Sequence, residues 1–272
     1  ISASLGVAQD KIKITVTIKN VGAKQANLAK QSINQLKASS HSEIMDFQVH
    51  AVAEGKTIEI PSFNQYIQRS LVLTGSNHSN ELTAVMINDN GQLTFVPMIT
   101  EQVGDTKVAV IKRKGNSAYT VIAYSLTFED LSNHWSRQEV ELLASKLVIK
   151  GVSDANFAPD QAITRSEFAA LLVRALGLNE QATGGNFKVA LTEWYAGAVG
   201  AAVSAELIEG ISEEIFEPNS IITREQMAVM IMRALKAAGS DNNDQADKSS
   251  VPTFDDAMKI STWAAPAVKR AV

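Results

Sequence analysis

The sequence predicts an α+β multidomain chain: a β-sandwich-like N-terminal domain over residues 1–127, then an all-α array of repeated helix pairs with pseudo-threefold symmetry. Three observations carry this reading. Apolar residues alternate with period two before Phe128 and recur at helical spacing after it. The second part repeats itself at a fixed interval. Charge divides at the same place, with 12 Lys+Arg against 9 Asp+Glu before Phe128 and 13 against 20 from it onward.

In the first part, alternation runs over residues 11–19 (KIKITVTIK), 57–60, 67–73, 82–87, 107–112 and 118–123. Turn chemistry separates these stretches at Asn88-Asp89-Asn90-Gly91 and Lys114-Gly115-Asn116. Short strands joined in this way suggest a sandwich. Residues 25–38 carry helix formers, with Leu28, Ile33 and Leu36 loosely in register for a short helix or a long loop.

From Phe128 the pattern duplicates. Trp135 recurs as Trp194, Gly151 as Gly210, Phe157 as Phe216, Pro159 as Pro218, Thr164-Arg165 as Thr223-Arg224 and Ala175-Leu176 as Ala234-Leu235, each 59 residues on. After a polar linker at residues 239–250, Phe254-Asp255 and Trp263 begin a third copy, and the chain stops inside its first helix. Each copy holds two helices. Val140, Leu143, Ala144 and Leu147 share a face of the first, as do Val199, Ala202 and Val203 in the next copy, and Val268 falls at the matching place in the third. Gly151 and Gly210 are expected to stop these helices in the left-handed conformation. In the second helices Phe168, Leu171, Leu172, Ala175 and Leu176 match Met227, Met230, Ile231, Ala234 and Leu235 as core stripes. One such pair has too little core to stand alone, so the copies must pack on one another, in a closed pseudo-threefold bundle or a short stack.

The second helices start with Thr164-Arg165-Ser166-Glu167 and Thr223-Arg224-Glu225-Gln226. Thr followed three residues later by Glu or Gln is a capping box. The arginine is not explained by the cap, because a cation in the first turn faces the positive end of the helix dipole at a cost of about 0.3–1 kcal/mol. Either a bound carboxylate or phosphate, or an acidic neighbour, would offset it. With Thr164 and Glu167 keeping the cap, loss of Arg165 is expected to leave folding almost unchanged.

Composition narrows the function. At 272 residues with 45% hydrophobic content, the chain is long enough for about two folded domains. No apolar run approaches the roughly 18 residues of a membrane span, so membrane insertion is not expected. A start at Ile1 with no basic and apolar leader reads as a processed or excised piece. Cysteine is absent, and the charge balance does not suit a nucleic-acid binder. His41, His50, His78 and His134 lack metal-ligand spacing, and no nucleophile elbow, phosphate loop or dinucleotide fingerprint occurs. Glu213-Glu214 and Asp255-Asp256 read as solvated pairs. No catalysis and no cofactor are expected of this piece.

Phe128-Glu129-Asp130, His134-Trp135, Ile149-Lys150-Gly151-Val152, Phe157-Ala158-Pro159 and Ile163-Thr164-Arg165-Ser166-Glu167-Phe168 closely resemble the signature of the S-layer homology family, whose hallmark is an Ile-Thr-Arg-Ala-Glu block. The resemblance divides the second part into repeats at 128–178, 187–238 and a third begun at 252–272. It implies a pseudo-threefold unit that anchors an extracellular protein to the bacterial wall by binding anionic secondary cell-wall polysaccharide, typically through a pyruvate ketal. Carried over by position, the ligand arginines are Arg165 and Arg224. Thr164, Ser166, Glu167 and Thr223 flank them, and Trp135, Trp194 and Trp263 hold the family's tryptophan position, as sugar platforms or as packing between repeats. The second copy departs at Gln226, for the hallmark glutamate, and at Val189, for Asp130. Arg165 is therefore expected to contribute more to binding than Arg224. Residues 116–121 resemble β-rich modules that precede such repeats in surface proteins. Two other roles are compatible: the wall-attached end of a glycan-hydrolysing enzyme, or a structural component of an S-layer lattice.

Overall fold

The computed structural model describes residues 2–75, 82–180, 187, 192–240, 254, 255 and 257–271. His78, Val189, Asp256 and linker residues 241–250 lie outside the described residues. The chain divides into two compact units, Ile1–Pro159 and Asp160–Val272.

In the first unit a short helix α1 (Ser2–Leu5) precedes β1 (Lys13–Asn20), α2 (Ala23–Gln35) and β2 (Ser39–Ser40). There follow β3 (Met45–Ala53), β4 (Lys56–Glu59), β5 (Ser62–Val72), β6 (Leu82–Ile87), β7 (Leu93–Val96), β8 (Met98–Val103), β9 (Thr106–Gly115) and β10 (Ala118–Ala123). A seven-stranded sheet runs β1-β3-β10-β6-β7, with β2 on β10 and β4 on β3, and a three-stranded sheet runs β5-β9-β8. Among the described residues the strand pairings are all antiparallel. The two sheets share a core in which Phe47, Ala84, Val96, Tyr119 and Val121 from one meet Leu71, Ala109 and Ile111 from the other.

Residues 25–38, open between helix and loop in the sequence, are mostly helical. Ala29 and Ile33 of α2 pack on Ile87, Ala118, Val85 and Ile122, which are buried on the opposite face of the large sheet. The unit therefore has a helical layer that a simple sandwich lacks, and this explains why β6 and β10 read as nearly continuous apolar runs: both of their faces are covered. The 116–121 stretch closes the polar joints between layers. Asn116 donates from Nδ2 to Ile60 O at 2.7 Å and accepts from the buried Arg69. Tyr119 donates to Gly115 O at 2.7 Å, and Thr120 donates to Ser42 O at 3.1 Å.

Helix α3 (Arg137–Ser145), the first helix of the first repeat, belongs to this unit. Leu126 N donates to Ser145 Oγ at 2.9 Å, Lys146 Nζ donates to Leu82 O, and Leu147 packs with Ile33, Val85 and Ile122.

The second unit contains α4 (Arg165–Ala175), α5 (Ala196–Ser204), α6 (Arg224–Ala237) and α7 (Ala265–Arg270). Its core joins Ala169 and Val173 to Val199, Ala202, Leu207, Phe216, Ile222, Met230 and Ala234. Phe168, Leu172 and Leu176 pack on the edge of that cluster, while Ala169, Ala170 and Val173 sit deepest. The centre of the buried face is thus offset by about one position from the predicted stripe. Val199 is buried, whereas Val140 and Val268 are half-buried within their own units.

The helix stops correct a sequence reading. Gly151 and Gly210 are not the left-handed residues; Leu147 (φ 61) and Glu206 (φ 57) are. Leu147 N and Val148 N donate to Ala144 O and Leu143 O, and Glu206 N and Leu207 N donate to Val203 O and Ala202 O, which is the Schellman pattern in both copies. The two glycines lie four residues later and are needed for space. A Cβ on Gly151 would stand 2.5 Å from Asn156 O, Ser153 O and the Phe128 ring, and one on Gly210 would collide with Ser212 O, Ile215 O and the Phe187 ring.

Candidate functional site in the repeats

Both capping boxes form as their sequences predict. Thr164 N donates to Glu167 Oε2 at 2.8 Å while Glu167 N donates to Thr164 Oγ1 at 3.3 Å. Thr223 N donates to Gln226 Oε1 at 3.2 Å and Gln226 N returns the bond to Thr223 Oγ1 at 3.3 Å. Gln226 thus also closes the cap, over a longer bond than that of Glu167.

The two arginines that follow differ. Arg165 is 6% exposed. Its Nε donates to Phe216 O and its Nη2 to Glu209 O, each at 2.9 Å, and the guanidinium lies 4.8 Å from the centre of the Phe216 ring. Burial pushes its pKa down, and the Glu217 carboxylate partly restores it. Around it, Arg165 N donates to Ser220 O, Ser166 donates to Pro218 O from both N and Oγ, and Ile222 N donates to Ile163 O. The start of α4 is thereby bonded along the loop of the second repeat. The cation left unexplained by the cap is offset by two backbone carbonyls, and the expectation that Arg165 is dispensable for folding does not survive this geometry. Ser166 is buried and Glu167 is held by the cap.

Arg224 is exposed, and its guanidinium makes no hydrogen bond or ion pair among the described residues. Thr223 beside it is exposed too. Glu225 Oε1 accepts from Ser261 N at 2.7 Å, which brings the segment containing Trp263 to the start of α6. Trp135, Trp194 and Trp263 are 86, 62 and 56% exposed. The Trp135 ring lies 5.4 Å from the His134 ring, and the Trp194 ring lies 5.4 Å from that of Tyr195, edge to face.

Asp130 is engaged with backbone. Its carboxylate accepts from Phe157 N at 3.0 Å and Ala158 N at 2.7 Å, holding the turn in which Ala158 takes φ 63. These bonds keep its carboxyl below the usual carboxylate range. A depressed folded pKa means that the contribution is present above the unfolded value of about 4 and is lost as pH falls through the folded value. Asp130→Ala is accordingly expected to be less stable than the parent at neutral pH, with the gap closing below about pH 4 in parallel thermal melts; a gap independent of pH would assign the effect to packing. Among the described residues no group of three or more His, Asp or Glu could hold a metal ion, and no helix is long and apolar enough to cross a membrane.

Residues 127–169 and 190–228 match the profile of the S-layer homology domain. The chain carries S-layer homology repeats. It is 34% identical over 156 residues to an amylopullulanase of Thermoanaerobacterium thermosulfurigenes, covering 57% of this chain and 8% of that protein. It is 36% identical over 101 residues to a surface layer protein of Brevibacillus choshinensis, covering 35% of this chain and 9% of that protein. A cellulosome-anchoring protein of Acetivibrio thermocellus is 31% identical over 120 residues, covering 41% of this chain and 26% of that protein. The chain thus spans a small part of each relative. S-layer homology repeats shared with proteins of the surface layer place it outside the cell, at the wall.

The duplication extends to geometry. Phe128 and Phe157 stand 5.6 Å apart, as do Phe187 and Phe216, and Glu217 (φ 53) repeats the left-handed backbone of Ala158. No sequence signal points to the partners of Arg165, because Glu209 and Phe216 contribute carbonyl oxygens that any residue possesses.

Proposed function

We propose that the S-layer homology repeats hold the chain non-covalently on an anionic, pyruvylated secondary cell-wall polysaccharide, in a pseudo-threefold unit completed by a third repeat. Arg224 is the charge contact in this reading. What supports it is the match of residues 190–228 to the S-layer homology profile, with Arg224 at the exposed start of α6 beside the segment that bears Trp263. An arginine fork suits a carboxylate such as a pyruvate ketal, and an aromatic face suits the apolar side of a sugar ring. Trp194 and Trp135 offer like faces in the other two repeats, and Thr223 a hydroxyl. Arg165 acts indirectly, by holding the second repeat's loop, so the order of the two arginines in binding is the reverse of that expected from the hallmark residues alone.

The test is binding of the chain to purified wall polysaccharide with and without its acidic substituent. Arg224→Ala should weaken binding roughly 10- to 100-fold, the equivalent of one charge-assisted contact, with an unchanged melting temperature. Removal of the pyruvate should bring the parent chain down to the level of that variant. Undiminished binding by Arg224→Ala would assign the ligand to another surface.

A further inference from the structure

Strand β1 forms an edge of the seven-stranded sheet and, among the described residues, pairs with β3 alone. Residues 13–19 read Lys-Ile-Thr-Val-Thr-Ile-Lys, the same in both directions. Ile14, Val16 and Ile18 stand opposite Ala51, Val49 and Phe47 in the ladder, and so share the face that those residues turn toward the core. The β3 residues are buried, yet Ile14, Val16 and Ile18 are 51, 61 and 58% exposed. No residue of β1 joins the core shared by the two sheets. An open strand edge with an uncovered apolar stripe is a template for another strand.

We propose that β1 is a self-association strand whose occupant is β1 of a second copy, antiparallel about a two-fold axis through Val16. The symmetric sequence fits this partner residue by residue. Val16 meets its own counterpart, Ile14 meets Ile18 of the second copy, and Thr15 meets Thr17, so the apolar stripes of both copies merge on one face. The pairing also sets Lys13 against Lys19 of the second copy, a like-charge row that would be destabilising. Asp46 lies 3.9 Å from Lys19 and faces it across the ladder, which leaves each row with two cations and one anion. The residual repulsion gives the contact a signature: added salt strengthens it. Covering the edge and stripe in both copies buries on the order of 1,000 Å², the low end for specific interfaces. The contact is therefore weak in dilute solution and favoured where many copies are crowded on one surface.

The chain has no cysteine, so single introduced thiols report the register. In the full chain at high micromolar concentration, Val16→Cys should give a covalent dimer with a short bifunctional thiol reagent. Ile14→Cys should not, because the two copies of residue 14 would lie roughly 13 Å apart along the strands. Mixing Ile14→Cys with Ile18→Cys should restore the cross-link. In sedimentation experiments the parent chain should dimerise more as salt is added, and Val16→Lys should raise the dimer dissociation constant at least tenfold without moving the melting temperature, since Val16 lies outside the core. A parent chain that stays monomeric at every concentration and salt overturns the proposal, as does Ile14→Cys cross-linking as readily as Val16→Cys.

Discussion

Arg165→Met is expected to destabilise the second unit by about 3 kcal/mol, which for a unit of this size lowers its melting temperature on the order of 10 °C. The substitution keeps most of the apolar volume over Phe216 and removes the two donors, so the carbonyls of Phe216 and Glu209 lose their partners within the structure. An unpaired buried carbonyl costs about 1–3 kcal/mol, and the helix dipole gains back less than 1 kcal/mol when the cation leaves. The balance is a loss. Thermal and urea unfolding of the parent and the variant would measure it, and a melting temperature within about 2 °C of the parent would mean that water satisfies the loop equally well. Arg224→Met serves as the control, because the exposed Arg224 holds nothing among the described residues.

A comparable loss, about 3 kcal/mol or more, is expected from Gly210→Ala. Two of the three atoms that an added methyl would strike are backbone oxygens, of Ser212 and Ile215, which cannot swing aside as a side-chain end could. The loop must open, and it is the loop that Arg165 grips through the adjacent residue Glu209. The two substitutions should therefore be less than additive, with a coupling of about 1 kcal/mol or more in a double-mutant cycle. Strict additivity would show that the glycine and the arginine stabilise separate parts. Gly151→Ala should be as damaging in the first unit, where Asn156 O and Ser153 O take the same positions.

Elements whose cause is local were legible in the sequence. The strand at 118–123 and both capping boxes occur where their spacing puts them, because alternation and the Thr-x-x-Glu or Thr-x-x-Gln pattern act within a few residues. Strand β3 was missed although Phe47, Val49, Ala51 and Ala53 alternate, since Gln48 and His50 between them, together with Asp46, dilute the apolar signal. The left-handed stops at Leu147 and Glu206 carry no glycine to announce them, and the glycines four residues away invited the wrong reason. In the site, spacing could identify the two hallmark arginines but could not tell which way each points. For Arg165 that depends on a loop 44 and 51 residues further along, which folds over the helix start.

The way Arg165 holds its loop has a consequence for how freely the repeats can diverge. A guanidinium that binds carbonyl oxygens recognises the path of the main chain and is indifferent to the side chains along it. Where the first repeat has Leu147, Lys150, Asp154, Ala155 and Ala158, the second has Glu206, Glu209, Glu213, Glu214 and Glu217, and it is this glutamate-rich loop that the arginine holds. Shape and surface chemistry are thereby uncoupled: a fastening to main-chain oxygens sets no charge on the loop it holds, leaving each repeat open to drift toward its own ligand while the scaffold stays the same.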